Sequence, residues 1–379
     1  MRPVGYALVG AGAFGRYCLE QFASLDAVEL VAVADADERL AASAADDHGL
    51  PACGVDALLS RDDVELIHLA TPPWTHHELA MRAIEAGKHV LCEKPLATTL
   101  ADGRAMVEAA ARRGVNLAAN LIMRHVPHCE RVKAVLDSKL LGEPIHAEFV
   151  NDAKDEPLPP GHWFWDSRKS GGIFIEHGVH FFDVFAWWLS EAAGQHPSPQ
   201  ATLLSAHAVR RPGRDPLTEQ VQAVVRYGEA TLATFYHGFT QAARMDRQHW
   251  RIVCERGDIR MHEWVPDTLV VDALLKRPDF ERLGEIMGGA GVTRLNTDDH
   301  PSRHVTARHK SFDVDGRYHL RALDPRRKDT LYGHALRELL TDQARGVRDP
   351  NHPRRITEAN ALNSLELAAA ATRMAEQKG

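Results

Sequence analysis

The chain has only five cysteines in 379 residues, Cys18, Cys53, Cys92, Cys129 and Cys254, an odd number with wide spacing and no CxxC pair. Such spacing offers neither a disulfide framework nor a structural zinc site, and it suits a reducing, cytoplasmic setting. Basic charge is also in short supply. Against 52 Asp and Glu stand 45 Lys and Arg, a formal charge of −7 with a pI near 6.3, and no block of five or six like charges occurs, so nucleic acid is not an expected partner. No apolar run approaches the ~18 residues that span a bilayer, so no membrane partner is expected either. One stretch, "VGYALVGAGAFG" after Arg2, imitates a signal peptide, but its glycines have a better use below. Internal repeats and low-complexity tracts are missing too. What is there, 44% hydrophobic and 26% charged residues, is ordinary for a soluble globular protein long enough for two domains.

The first third alternates apolar runs at 6–10, 29–35, 66–71, 89–94 and 115–120 with amphipathic segments at 13–23, 76–86 and 100–113. Strand and helix in repetition predict an α/β Rossmann domain, a doubly wound parallel sheet covered on both faces, over 1–123. After a predicted helix at 127–139 the rhythm changes to β-rich segments, with "YGEA" (227–230) and "ERGD" (255–258) as hairpin turns. Residues 124–379 therefore read as an α+β domain with an open, mostly antiparallel sheet. Within it, 169–189 is expected to be a helix and 276–304 a loop, and "VTARHKSFDVDGRYHLRAL" a further hairpin. Helices are expected at 330–345 and 357–377, the last of which could pack back on the first domain.

Gly10, Gly12 and Gly15 form GxGxxG between an apolar run and a helix. That spacing permits a tight turn, close approach to a pyrophosphate and packing of helix on strand, with the helix N-terminus donating N–H groups to the phosphates. Asp35 ends the second run twenty residues past Gly15, where a carboxylate binds the adenosine ribose hydroxyls. With Asp37 nearby, a 2′-phosphate would meet two carboxylates, so NAD is favoured over NADP despite Arg39.

Four stretches then resemble one known family: "GAGAFG" (10–15), "ATPPWTHHELAMRAIEAGKHVLCEKPLATTLADG" (70–103), "RHVPH" with "LLGEPIHAEF" (124–149), and "WFWDSRKSGGIFIEHGVHFFD" (163–183). The chain is similar to the Gfo/Idh/MocA family of nicotinamide-dependent oxidoreductases, named for glucose–fructose oxidoreductase, inositol dehydrogenase and the rhizopine catabolism protein. The resemblance implies a dinucleotide domain followed by an open-sheet domain that mediates homo-oligomerisation, as a dimer or tetramer. It implies Lys94 as catalytic lysine, Glu93 beside the nicotinamide ribose, and Thr71, Pro72 and His76 along the cofactor. Ala13 and Phe14 of the glycine turn, Lys94 and Asn120 are counted with the cofactor residues. His180 matches the histidine of the signature GGxxxDxGxHxxD. The chain departs from that signature with Glu176 at the aspartate, followed by His177.

A buried strand that ends in Glu93, Lys94 and Pro95 is otherwise hard to explain. At the carboxyl end of a strand in a doubly wound sheet, however, charges point into a ligand crevice. Pro95 holds Lys94 extended, and the Lys94–Pro95 bond is of the type that tolerates cis. Hydride transfer between a carbinol and NAD needs a group that handles the hydroxyl proton. A lysine amine, with a reference pKa near ~10.4, does base work only when burial or a cationic neighbour lowers it, and His180 is the expected partner. On a helix Glu176 and His180 share a face, so Glu176 orients the imidazole or binds a substrate hydroxyl.

Arg124, His125, Trp165, His177 and His180 are the candidate substrate contacts, with Trp163, Trp187 and Trp188 as further aromatic surface. No metal is expected, because the nicotinamide reaction needs no Lewis acid and most of the 22 histidines are scattered. The leading expectation is an NAD-dependent oxidoreductase acting on a secondary hydroxyl or ketone of a sugar, cyclitol or derivative. The alternatives are an NAD-retaining glycoside hydrolase or lyase that oxidises its sugar transiently, and a non-catalytic NAD-binding protein.

Overall fold

Five short runs dominated by Val, Leu, Ile and Ala, mostly buried, form the first sheet, as expected when helices cover both faces. They are β1 (Val4–Val9), β2 (Val28–Ala34), β3 (Leu66–Leu69), β4 (His89–Cys92) and β5 (Leu117–Ala119). All pair in parallel, in the order β2-β1-β3-β4-β5. The chain direction across the sheet reverses between β1 and β3, and it is outside the carboxyl ends of the strands at such a reversal that ligands bind. Between the strands lie α1 (Ala13–Phe22), α2 (Glu38–His48), the short α3 (Val55–Leu59), α4 (His76–Glu85) and α5 (Leu100–Arg113). Sequence sets their ends. Asp37 and Thr99 cap α2 and α5 by accepting from Arg39 and Asp102 backbone N–H, and Gly49 and Gly114 close them in the left-handed region.

The computed structural model describes residues 2–155, 158–159, 161–189, 201–213, 217–296 and 304–377. Two compact units divide it: Met1–Ile122 with Pro160–Asp183 and Gly333–Ala369, and Met123–Pro159 with Val184–Tyr332 and Ala370–Gly379. Each unit is assembled from more than one stretch of chain, and within the first unit later helical segments pack with the first sheet. Leu117 N–H donates to Glu358 at 2.7 Å, Leu365 fills the space above Gly103, and Arg348 grips both oxygens of Glu65 at 2.7 and 2.6 Å.

Next in chain order, and not all in one unit, come α6 (Pro127–Asp137) and β6 (Pro144–Lys154). After α7 (Ser167–Ser170) and α8 (Val179–Leu189) come β7 (Ala201–Arg210), β8 (Thr218–Tyr227), β9 (Thr231–Gln241), β10 (Arg247–Cys254), β11 (Gly257–His262) and β12 (Thr268–Leu275). They are followed by α9 (Arg277–Ile286), β13 (Val292–Asn296), β14 (His304–Ala307), β15 (Lys310–Asp313), β16 (Gly316–Leu323), α10 (Lys328–Arg348) and α11 (Glu358–Glu376). Nine of these strands make one sheet, β13-β16-β12-β11-β10-β6-β9-β8-β7, antiparallel throughout except for β6 beside β9. Both expected hairpin turns, at 227–230 and 255–258, join paired strands.

Two expectations fail. The segment 276–304 is not a loop: its described part holds α9 and β13, and 297–303 lie outside the described residues. Phe280, Leu283 and Met287 are buried at helical spacing, and Phe280 stacks on Tyr318 at 4.1 Å, so a sparse apolar stripe carries a helix that composition hides. The expected helix over 169–189 is also broken. Gly171 and Gly172, at φ 81° and 86°, end α7, and Phe174–Gly178 then runs as a π-helical turn into α8.

Candidate active site

The turn after β1 is built for a guest. Gly10 sits at φ 106°, and a Cβ there would lie 2.4 Å from the Ala70 carbonyl oxygen; a Cβ on Gly15 would lie 1.9 Å from that of Gly10. The protein's own packing therefore demands these two glycines. Gly12 is different: it is the N-cap of α1, no side chain caps it, and a Cβ there meets nothing within 4 Å. The space above the helix N-terminus is thus kept open by a residue the fold itself does not require. Ala13 is exposed beside it and Phe14 stacks obliquely on Tyr17. Asp35 braces the turn, one oxygen accepting from Ala11 N–H at 2.6 Å and the other from Asp37 N–H at 2.8 Å. Arg39, with 92% of its side chain exposed, is turned to Asp37.

At the end of β4, Lys94 is joined to Pro95 by a cis peptide bond. Both hydrogen bonds of its ammonium go to Glu176, to the carbonyl at 2.9 Å and to Oε1 at 2.5 Å. The π-helical turn thus delivers Glu176 to Nζ. Insertions of this kind in helices are frequent at functional sites. The other carboxylate oxygen of Glu176 lies 3.3 Å from His177 Nε2, so Glu176 bridges Lys94 and His177. Burial would raise the Glu176 carboxyl; the Lys94 and His177 charges outweigh it and bring it below its usual value. His180 is buried at the start of α8, and Asp183 is buried nearly one turn further on.

Burial, aided by Lys94 and opposed by Glu176, lowers His177 from 6.5 to about 4. Between those pH values an unfolded chain binds a proton at this imidazole that the folded chain refuses, so stability falls as pH falls through the window. Solvent tempers the effect, since 21% of the side chain is exposed. His177→Gln is expected to flatten the pH 7 to 4 limb of thermal melts; an unchanged limb would contradict the assignment.

Glu93 continues β4 by one backbone bond, to the Leu69 carbonyl. Its Oε1 accepts from Asn120 Nδ2 at 2.8 Å and faces His68 Nε2 at 3.0 Å. Asn120 Oδ1 is buried with no hydrogen-bond partner, an acceptor placed for a donor from outside the protein. Together with the open Gly12 cradle and the Asp35 carboxylate, that orphan fits a dinucleotide with ribose hydroxyls and an amide. Thr71 and Pro72 stand in the loop after β3, where Thr75 hydroxyl bonds to both. His76 is fully buried, its ring nitrogens 2.7 and 2.9 Å from the carbonyls of Pro95 and Thr71. It ties that loop to the Lys94–Pro95 segment.

Trp165 is half-buried in a cluster where Phe164 meets it edge-on at 4.7 Å and meets His177 at 6.1 Å. Trp163 lies 5.7 Å from Trp74, which is 41% exposed. Arg124 and His125 belong to the second unit, where both are buried and the Arg124 guanidinium lies 5.6 Å from the Trp187 ring. Two residues went unnoticed in the sequence, Tyr6 and His68. Their only signal is a polar group in the middle of an otherwise apolar strand.

A family model described as "Oxidoreductase family, NAD-binding Rossmann fold" matches residues 4–121, and one for the GFO/IDH/MocA C-terminal domain matches 129–260. Over 274 residues the chain is 30% identical to dTDP-3,4-didehydro-2,6-dideoxy-alpha-D-glucose 3-reductase of Saccharopolyspora spinosa, covering 69% of this chain and 78% of that protein. It is 30% identical over 183 residues to 2,7-anhydro-N-acetylneuraminate hydratase of Mediterraneibacter gnavus, 48% of each chain. The chain spans about half the length of several of the curated relatives it matches. Among solved structures, a levoglucosan dehydrogenase in complex with NADH superposes with a TM-score of 0.77 at 17% identity, covering 100% of this chain and 98% of that one. That likeness is one of fold.

Proposed function

The chain belongs to the GFO/IDH/MocA oxidoreductase family, and we propose that it moves a hydride between NAD and a secondary hydroxyl or ketone of a sugar, cyclitol or derivative. One observation carries this reading: Lys94, at the carboxyl end of β4, is held by Glu176 through two hydrogen bonds. A lone exposed lysine would gain nothing from such a clamp. A nitrogen that must meet a reacting oxygen in one geometry does.

When bound, the nicotinamide supplies or accepts the hydride. Gly10, Gly12, Ala13, Phe14 and Gly15 would hold the pyrophosphate at the α1 N-terminus, Asp35 the adenosine ribose, and Glu93, Asn120, Thr71 and Pro72 the nicotinamide half. In the reducing direction the Lys94 ammonium, which Glu176 holds, gives a proton to the substrate carbonyl oxygen; in the oxidising direction the neutral amine takes the proton of the substrate hydroxyl. Glu176 balances the charge of Nζ and fixes its position. His180 is the second proton-handling group, and Trp165 and His177 are the proposed substrate contacts. Support for NAD over NADP comes from Asp35 and Asp37 at the end of β2.

The test is to mix the protein with NAD⁺ and a broad polyol panel while following absorbance of the reduced cofactor. Silence across the panel counts against net oxidation. A second reading, transient oxidation followed by elimination or hydration with the hydride returned, draws support from the hydratase relative and from the extra Glu176–His177 pair. Product release without net cofactor turnover separates the two. We also propose assembly through the second unit's sheet, on which Leu204, Val209, Leu232, Leu295 and Leu323 are exposed apolar side chains, and a reducing cytoplasmic setting for five unpaired cysteines. No helix among the described residues is long and apolar enough to cross a membrane.

A further inference from the structure

Tyr6 and His68 stand inside the first sheet with 0% exposure and take no part in the chemistry above. His68 lies opposite Leu8 in the register of β1 and β3, so Tyr6 reaches it diagonally. Tyr6 Oη is 2.8 Å from His68 Nδ1, and His68 Nε2 is 3.0 Å from Glu93 Oε1. A carboxylate oxygen accepts, so Nε2 carries the hydrogen, Nδ1 is left to accept, and the Tyr6 hydroxyl donates to it. Burial, with Cys18 and Glu93 nearby, pushes the Tyr6 phenol well above its ordinary value, which keeps that donor protonated. The row therefore has a direction: Tyr6 to His68 to Glu93. Phe22 walls it, 5.6 Å from Tyr6 and 6.1 Å from His68.

Stability alone does not account for this row. Apolar residues of the same shape at both positions would be nearly neutral or stabilising, and Leu, Val and Ile fill the neighbouring strand positions. What the row accomplishes is at its far end. His68 and Asn120 both donate to Oε1 of Glu93, and among the described residues nothing donates to Oε2. In the order β2-β1-β3-β4, Asp35 ends β2, the glycine turn follows β1, and Glu93 follows β4, so Glu93 belongs to the half of a dinucleotide distant from the adenosine.

We propose that Tyr6 and His68 are positioning residues that hold the Glu93 carboxylate in one orientation, with Oε2 presented to a hydroxyl of the second ribose of the dinucleotide. The inference rests on the dinucleotide reading above. Cys18, His68 and Glu93 bring ligand atoms within 4.8 Å of one another, yet the row uses both ring nitrogens of His68. Burial and Glu93 also push the Cys18 thiol up, away from the thiolate a metal needs. The cluster is a hydrogen-bond relay and not a metal centre.

The experiment measures dissociation constants of NAD⁺ and of ADP, which lacks the second ribose, for the full chain and for His68→Leu, His68→Gln and Tyr6→Phe. His68→Leu is expected to weaken NAD⁺ roughly ten- to a hundredfold, the value of a hydrogen bond to a charged group, and to leave ADP unchanged. His68→Gln, which keeps an N–H donor, recovers most of the loss, and Tyr6→Phe loses a few-fold. A residue that merely supports the fold would move both ligands together. Equal NAD⁺ affinity in the parent and His68→Leu overturns the relay, as does stoichiometric metal in the purified protein. A parent that binds neither NAD⁺ nor ADP instead overturns the dinucleotide reading beneath it.

Discussion

Replacing Lys94 with Met is expected to cut turnover by about 10² to 10⁴-fold, the range a positioned proton-transfer group supplies, while NAD binding changes little. The substitution also leaves Glu176, 8% exposed, without its countercharge, and breaking a buried pair from one side costs about 3–5 kcal/mol. A dead Lys94→Met protein could thus be a misfolded one. The double variant Lys94→Met with Glu176→Gln removes both charges and keeps the shape, so it should fold, bind NAD and still be inactive. Lys94→Arg keeps the charge and offers a guanidinium that does not deprotonate in proteins; it should also fall by at least two orders of magnitude in the oxidising direction. Steady-state kinetics with any substrate found in the polyol panel, alongside NAD titrations and melting temperatures, gives the three readings. Near-parental turnover in the double variant would remove Lys94 from the chemistry.

The runner-up chemistry makes a different demand on the same residues. Net oxidation needs one group to handle one proton, whereas elimination needs a base for a C–H proton and an acid for the leaving group. The chain has more than the minimum: Glu176 touches both Lys94 and His177. His177→Phe, which keeps a ring beside Phe164, should spare net oxidation and abolish elimination. Loss of both would make His177 a structural partner of Glu176.

Some of this was legible in the sequence for a simple reason: local signals carried it. The five strands of the first sheet announce themselves as apolar runs, and the glycine turn as a spacing. The charges ending β4 are visible because a buried strand does not otherwise stop on Glu-Lys-Pro. What was hidden depends on contacts between distant segments or on small local departures. A π-helical turn follows from how 174–178 packs, and regular helix periodicity does not show that Glu176 gives a carboxylate oxygen to Lys94. Tyr6 and His68 read as ordinary strand residues until the register of β1 against β3 sets them side by side. The α9 helix, with Phe280, Leu283 and the following Met287 as its buried apolar positions, carries too little periodicity to outvote its charges, Gly284 and the glycines that follow it.

Gly12→Val is expected to lower NAD affinity by more than a hundredfold while leaving the folded chain intact. The backbone at Gly12, φ −67° and ψ −176°, is extended and open to any residue, and an added Cβ meets no protein atom within 4 Å. Valine therefore costs the fold about 1 kcal/mol, the loss of a good N-cap residue. It does cost the ligand: two methyl groups would stand where a pyrophosphate must approach the first N–H groups of α1, and charge-assisted bonds to those groups would be lost together. Gly15→Ala is the contrasting control. Its Cβ would sit 1.9 Å from the Gly10 carbonyl oxygen, so helix and strand must part, and melting temperature should drop with or without cofactor. Saturating NAD should raise the melting temperature of the parent by mass action and fail to raise that of Gly12→Val. If the two proteins gain equally from NAD, the phosphates do not lie on this turn, and the placement of Asp35 and Glu93 at opposite ends of one dinucleotide falls with it.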